Sequence, residues 1–241
     1  MKGKKRFIIW MFPFFAAFLF LLWQGKNLVM EEKEEQQIWQ VWAELPEGEI
    51  TEKILKSMKK FPGVERLWTV LETEISVSVK EYRGSSSLQG VDLKDYPLTV
   101  IQSAGKKNLG NIPLLAVGED FFQQLQDVGE NPVSKRQQVI LRENLSSLVV
   151  EIQVLPEGEQ EEEAEEAESI PGEFLGVVKE RGIYMEQEQM RQWLENQGIH
   201  PRLRKICLKI RGKTNVKQAE QSLAQAGFTV EKERVPQSSS S

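Results

Sequence analysis

Hydrophobic and polar positions divide the chain into an apolar N-terminal run and a longer body of short alternating segments. The run extends from Phe7 to Trp23 without a charged residue, and Lys2, Lys4, Lys5 and Arg6 precede it. At about 1.5 Å per residue a helix of this length spans roughly 25 Å, close to the hydrocarbon core of about 30 Å. Because basic flanks stay in the cytoplasm, this pattern predicts a cytoplasmic tail 1–6, a transmembrane anchor 7–23 and an extracytoplasmic body.

A cleaved signal peptide is the alternative interpretation of the same run. Its apolar region is usually about 7–15 residues long and ends at a small-residue cleavage site. Here the run is bulky to its end and is followed by QGKNLVMEE. Cys207 is the only cysteine, which argues against a lipoprotein anchor as well. The pattern therefore favours an uncleaved single-pass anchor.

Two strand–helix–strand patterns lie at opposite ends of the body. The first runs from Ile38 to Val64 and contains a short amphipathic helix that ends at Pro62-Gly63. The second runs from Ile206 to Phe228, with a helix between its two strands. Two such βαβ units can cover one small sheet with both helices. They predict an α+β fold in which residues 38–92 and 199–235 form one lobe.

Residues 93–198 are predicted to form an inserted, β-rich second lobe. Just before it, Glu74 to Lys80 alternate strictly between apolar and polar residues, which indicates a half-buried strand. A turn over Arg83 to Ser87 then predicts a hairpin that returns through Leu88 to Val91.

Two further elements of the inserted lobe can be predicted from its apolar positions. Val139 to Leu141 and Leu148 to Leu155 suggest strands around a turn at Asn144. Met185 to Asn196 forms an amphipathic pattern that predicts a helix.

Three polar segments carry no apolar periodicity. Residues 24–37 are predicted to be a linker, and residues 236–241 a flexible tail. Residues 156–170 are dense in Glu, and mutual repulsion predicts a solvated, disordered loop.

Charge and composition narrow the class of partner. The chain of 241 residues has a formal net charge of −5 although its N-terminus is basic, so the body is more acidic still. Nucleic-acid binding rewards clustered Lys and Arg, and this balance argues against it.

Candidate catalytic chemistry is sparse. His200 is the only histidine and is expected to be an exposed loop residue, whereas Cys207 lies in an alternating stretch and is expected in the core. Zinc usually needs two or three imidazoles or thiolates. The Gly105 to Gly110 loop lacks the Gly-Lys-Ser/Thr ending of a phosphate-binding loop. The sequence therefore predicts no catalytic, cofactor-binding or metal-binding residue and no cofactor.

Several short motifs resemble the periplasmic core domain of MacB-type ABC transporter permeases. They are Phe61-Pro62-Gly63-Val64, the LQGVD segment from Leu88 to Asp92, the Gly105 loop, the IPLLAVGEDFF segment from Ile112 to Phe122, and Ala226-Gly227-Phe228. FtsX-type permeases, whose external domain begins in a similar way, are a second candidate family.

The resemblance implies a bacterial envelope protein that works by contacts and without chemistry. Such permeases continue into three more membrane helices and act with a nucleotide-binding partner, whereas this chain has one apolar run. The expectation is a detached, non-enzymatic interaction module that associates with an ABC transporter permease or another envelope protein. Two alternatives stay open: an envelope hydrolase that uses carboxylates, and a sensor or assembly factor independent of any transporter.

Overall fold

A computed structural model describes residues 34–105, 112–155 and 169–235. Among the described residues, no helix has the length and apolar composition needed to cross a membrane. Several predictions concern residues outside these ranges: the cytoplasmic tail 1–6, the anchor 7–23, most of the linker 24–37, most of the acidic loop 156–170, and the tail 236–241.

Strands and helices alternate along the described chain, and strands dominate. The strands are β1 (Ile38–Glu44), β2 (Val64–Val79), β3 (Tyr82–Val91), β4 (Val100–Ser103), β5 (Leu114–Gly118), β6 (Val149–Val154), β7 (Ile170–Val178), β8 (Ile183–Glu186), β9 (Lys205–Arg211) and β10 (Thr229–Arg234). The helices bounded within the described ranges are α1 (Glu52–Met58), α2 (Phe121–Gln124), α3 (Lys135–Glu143), α4 (Gln187–Asn196) and α5 (Lys213–Gln225). The predicted α+β class is confirmed, and the core of the structure is rich in sheet.

One of two compact units collects residues from both ends of the chain. The described residues of unit 1 fall within Met1–Ala43, Lys56–Leu67 and Leu208–Ser241. Its strands follow the order β10-β1-β9-β2, so the two strands of each predicted βαβ unit are separated by a strand of the other unit. This interleaved order is that of a split βαβ, ferredoxin-like sheet.

The second compact unit contains a closed sheet. Unit 2 comprises Glu44–Leu55 and Trp68–Cys207. Its strands pair in the cycle β2-β3-β8-β5-β7-β6, and the cycle closes because β6 also pairs with β2 through Ile75↔Val154 to Ser78↔Glu151. β4 lies outside the cycle and pairs with β7. Closure gives each of the six strands a partner on both edges over part of its length.

Alternate residues of the closed sheet face two different apolar layers. Leu115 and Val117 of β5 belong to the large core of unit 2, together with Phe121, Phe122 and Leu141 from the helices. Ala116, between them in the chain, belongs instead to a smaller cluster on the other face of the sheet. Tyr184 is in that smaller cluster, where its ring lies 6.2 Å from the ring of Tyr96.

Two predicted elements of unit 2 are wrong. The hairpin turn consists of Lys80 and Glu81, because Val79 already pairs with Tyr82, and the predicted turn over Arg83 to Ser87 is part of β3. The predicted strand Val139 to Leu141 lies within α3. A capping box between Ser134 and Gln137 starts that helix, and it was a local signal for the correct structure.

The two units also divide the chain differently from the two predicted lobes. Residues 68–92 were predicted to belong with the chain ends, but they lie in unit 2. The reason is pairing: β2 and β3 form the hairpin that begins the closed sheet, and β6 and β8 complete their outer edges.

Candidate functional site

The first described residues of the chain are fixed to the beginning of α5 in unit 1. The Lys213 ammonium contacts the Glu34 carboxylate at 2.8 Å. The Thr214 backbone N–H donates to Glu35 Oε1 at 3.1 Å, and the Thr214 hydroxyl donates to the same oxygen. We call Glu34, Glu35, Gly212, Lys213 and Thr214 the N-terminal clamp.

The sequence favours the clamp through a helix terminus and a glycine. The first N–H groups of α5 have no partner within the helix, and the helix dipole favours an anion there, so the Glu35 carboxylate is stabilised at this end. Gly212 has a φ of +92°, and a Cβ on it would lie 2.5 Å from Glu35 Oε2. A side chain at residue 212 would therefore displace Glu35.

The same end of α5 also receives the Pro62-Gly63 turn. The Arg211 N–H donates to the Gly63 carbonyl oxygen at 2.8 Å, and the Asn215 side chain donates to the Arg211 carbonyl oxygen at 2.8 Å. Gly63 has a φ of +73°, and a Cβ on it would overlap the Arg211 carbonyl oxygen. The FPGV motif of the sequence thus marks a close approach between two backbone segments.

A separate cleft of about 570 Å³ lies wholly within unit 2. It opens beside β2, where residues 72–74 lie between the start of β9 and the end of β6. Lys205 at the start of β9 contacts Glu72, whereas Leu155 after β6 donates its N–H to the Glu74 carbonyl oxygen. Two strands that leave the same neighbour in this way open a crevice between them.

One wall of the cleft is basic. It consists of His200, Arg202 and Arg204 from the connection between α4 and β9, and of Lys205 at the start of β9. The connection is held in place through its backbone, because the Leu45 N–H donates to the Arg204 carbonyl oxygen at 2.8 Å. The Nε atom of Arg204 is buried and has no hydrogen-bond partner. This wall therefore contains a desolvated donor without an acceptor.

The opposite wall carries the carboxylates of Glu44, Glu72 and Glu74. Glu72 accepts hydrogen bonds from the Ser87 hydroxyl at 2.7 Å and from Lys205 at 3.2 Å. All three glutamates are exposed residues. A catalytic general acid is usually a buried carboxyl whose pKa is raised by its surroundings, and exposed carboxylates are poorly suited to that role.

Between the walls the cleft has an apolar floor. Val70, Val154 and Leu194 are at most 3% exposed, and Ile199 lies partly exposed beside them. The apolar surface that the cleft exposes comes from Leu155, Ile199 and Pro201, which are partly exposed.

The structure gives the two residues considered for nucleophilic chemistry different surroundings. His200 is exposed in the cleft wall, as predicted. Cys207 is completely buried, also as predicted, and burial raises the pKa of its thiol to about 12. Within residues 34–105, 112–155 and 169–235, no three His, Cys, Asp or Glu side chains are grouped so as to hold a metal ion. The clamp and the cleft were not predicted.

No family model and no curated protein matches the chain. Among solved structures, the chain is similar to the extracellular domain of the noncanonic ABC-type transporter YknZ from Gram-positive bacteria, with a TM-score of 0.41 and 14% identity over 83% of this chain and 100% of that one. It is also similar to the periplasmic region of MacB from Actinobacillus actinomycetemcomitans, with a TM-score of 0.45 and 13% identity over 80% of this chain and 87% of that one.

One of the two is the periplasmic region of MacB, the protein for which the family resembled by the sequence motifs is named.

Proposed function

We propose that the protein is a membrane-anchored, extracytoplasmic interaction module that is accessory to an ABC-type export or mechanotransmission complex. Residues 7–23 are the single-pass anchor, with the N-terminus in the cytoplasm. The two βαβ units of the chain ends form one lobe outside the membrane, and the closed sheet forms the other. The apolar run, its basic flank and the MacB-type motifs support this assignment.

The observation that carries the proposal is the N-terminal clamp. Only residues 24–33 separate the apolar run from Glu34, and Glu34 and Glu35 are fixed to Lys213 and Thr214. A freely jointed linker would leave the body unaffected by movements of the anchor. The clamp instead joins the chain leaving the anchor to the start of α5, so a pull on that chain acts on unit 1.

A contact-based function also agrees with the chemistry of the cleft. The hydrolase alternative requires two carboxylates with different protonation states. The glutamates of the cleft are all exposed, and Glu72 is already engaged by Lys205.

The proposal is tested by purifying the full-length protein from membranes of its own host after mild crosslinking. The expected result is enrichment of an ABC permease and its ATPase over a control in which the anchor carries an unrelated soluble domain. Protease added to intact spheroplasts should also digest the body.

Two results would overturn the proposal. A body that is digested only after lysis would be cytoplasmic. Enrichment of envelope proteins without any transporter subunit would favour the sensor or assembly factor.

A further inference from the structure

Unit 1 has one end at which four strand ends and the N-terminal clamp meet. β1 and β2 begin there and β9 and β10 end there, because the Arg211 N–H donates to the Gly63 carbonyl oxygen and the Val235 N–H donates to that of Ile38. α1 precedes Gly63 and α5 follows Arg211, so the C-terminus of α1 and the N-terminus of α5 lie at this same end. We call residues 34–37, 58–66, 209–217 and 233–235 the clamp end.

The clamp end is basic, although the chain as a whole is acidic. Its carboxylates are those of Glu34, Glu35, Glu65 and Glu233, and its cations are those of Lys59, Lys60, Arg66, Lys209, Arg211, Lys213, Lys217 and Arg234. Eight cations against four carboxylates leave an excess of four positive charges, whereas the whole chain has a net charge of −5. The charge of this end is therefore complementary to an anionic surface.

Three lysines of the clamp end present this excess charge to solvent. Lys59 and Lys60 follow α1, and Lys217 lies one turn after Lys213 on α5; all three lysines are exposed. Among the described residues, the ion pairs at this end involve none of the three; they join Glu34 to Lys213, and Glu65 to Lys209 and Arg211. The three ammonium groups are therefore available to phosphate groups of a partner.

The proposed anchor decides which anionic surface lies within reach of these lysines. Only residues 24–33 separate the apolar run from the clamp end, and even a fully extended chain of that length reaches about 35 Å at most. The lipid headgroups around the anchor are therefore the phosphate-bearing surface nearest to the clamp end. Each basic side chain close to an anionic bilayer surface favours the bound state about fivefold, and the attraction extends over a Debye length of about 8–10 Å.

We propose that the clamp end binds the anionic phospholipid headgroups of the bilayer in which residues 7–23 are anchored. The ammonium groups of Lys59, Lys60 and Lys217 contact the lipid phosphates, and these contacts hold unit 1 against the membrane surface. The inference rests on the proposed function in one respect, namely that the apolar run is a membrane anchor.

The test measures lysine acetylation in the full chain, held in nanodiscs of pure phosphatidylcholine or of pure phosphatidylglycerol. Acetic anhydride is uncharged, and mass spectrometry reports the rate at each lysine. Lys59, Lys60 and Lys217 should react at least about fivefold more slowly in phosphatidylglycerol. Lys53, an exposed lysine at the opposite end of α1, should react at similar rates in both lipids. At about 1 M salt, where the Debye length is about 3 Å, the difference should disappear.

A double variant tests whether the three lysines act together. Lys59→Gln combined with Lys60→Gln changes two exposed residues, so the fold should be retained, and it should remove most of the protection of Lys217 in phosphatidylglycerol. Lys53→Gln is the matched control and should leave the protection of Lys217 unchanged.

Several outcomes would overturn the inference. Equal rates in the two lipids, in a chain that is incorporated into the nanodiscs, would refute the lipid contact and leave the anchor intact. Full protection of Lys217 in the double variant would also refute it. Protection by inorganic phosphate added to phosphatidylcholine nanodiscs would mean that the lysines bind a small anion and not a bilayer surface. A chain that is not incorporated at all would refute the anchor of the proposed function, and this inference with it.

Discussion

Replacement of Gly63 by alanine tests the close approach between the FPGV turn and the end of β9. A non-glycine residue at a φ of +73° costs about 1–2 kcal/mol. The new Cβ would also lie 2.5 Å from Asn215 Nδ2, so Arg211 and Asn215 must move. That movement weakens two hydrogen bonds, each contributing about 1 kcal/mol. The alanine also reduces the entropy of the unfolded chain, which offsets about 0.4–1 kcal/mol of this cost. We therefore expect the free energy of unfolding to fall by about 3 kcal/mol.

Gly227→Ala is the matched control within unit 1. Gly227 has a φ of +89°, but a Cβ on it would meet nothing within 4 Å. This variant therefore has the backbone strain without the overlap. We expect its free energy of unfolding to fall by at most about 1 kcal/mol. The difference of about 2 kcal/mol between the variants isolates the contribution of the close approach.

Hydrogen exchange followed by mass spectrometry of the full chain measures this difference. Amides of β9 should exchange about thirtyfold faster in Gly63→Ala than in Gly227→Ala if they exchange through a shared opening. The melting temperature of Gly63→Ala should be about 4–8 °C lower than that of Gly227→Ala. Equal losses in the two variants would refute the reasoning, because the contact with Arg211 would then contribute nothing.

Further predictions concern charge, burial and the core of unit 1. Glu35→Gln should accelerate exchange at the first amides of α5, because a charged acceptor is lost there; unchanged exchange would argue against the clamp. A hydrogen bond from Arg211 lowers the pKa of Glu65 below its ordinary 4.5. The stabilisation that this pair gives the folded state is therefore complete above pH 4.5 and is lost as the pH falls through the lowered pKa. The stability gap between wild type and Glu65→Gln should accordingly shrink on acidification, and a constant gap would contradict this ion pair. Native Cys207 should resist iodoacetamide at pH 8 and react after denaturation, since its pKa is about 12; rapid native labelling would show that the core opens. Leu223→Ala should cost about 2–5 kcal/mol and speed exchange in β1 as well as in β9, and intact protection of β1 would mean that the chain ends fold separately.

Elements with strong local periodicity could be predicted from the sequence. The helix predicted over Met185 to Asn196 is α4 (Gln187–Asn196), and its inward residues, including Met190 and Leu194, are buried. The wrong prediction of a strand within α3 arose where such periodicity is missing. Val139 and Ile140 look like core residues in the sequence, but they are 55% and 43% exposed on a helix. Apolar residues that do not alternate with polar ones are weak evidence for a buried strand.

Features that depend on contacts between distant parts of the chain could not be predicted from local sequence patterns. The closure of the sheet depends on β6 pairing with both β2 and β7, and no turn or spacing connects β2 with β6 along the chain. The cleft likewise assembles residues from β2, from the end of β6 and from the α4–β9 connection. The loop of His200, Arg202 and Arg204 was visible in the sequence. Its buried donor was not, because burial depends on those distant segments.

The interleaved sheet of unit 1 bears on how the first described strand of the protein is held. β1 lies between β10 and β9, so both its neighbours come from the last part of the described chain. The Val235 N–H donates to the Ile38 carbonyl oxygen, and the Gly212 N–H donates to that of Gln37. Contacts between such distant residues form slowly because a long loop must close first. β1 can therefore complete its sheet only after the chain up to β10 has been synthesised, and the clamp cannot form before α5 does.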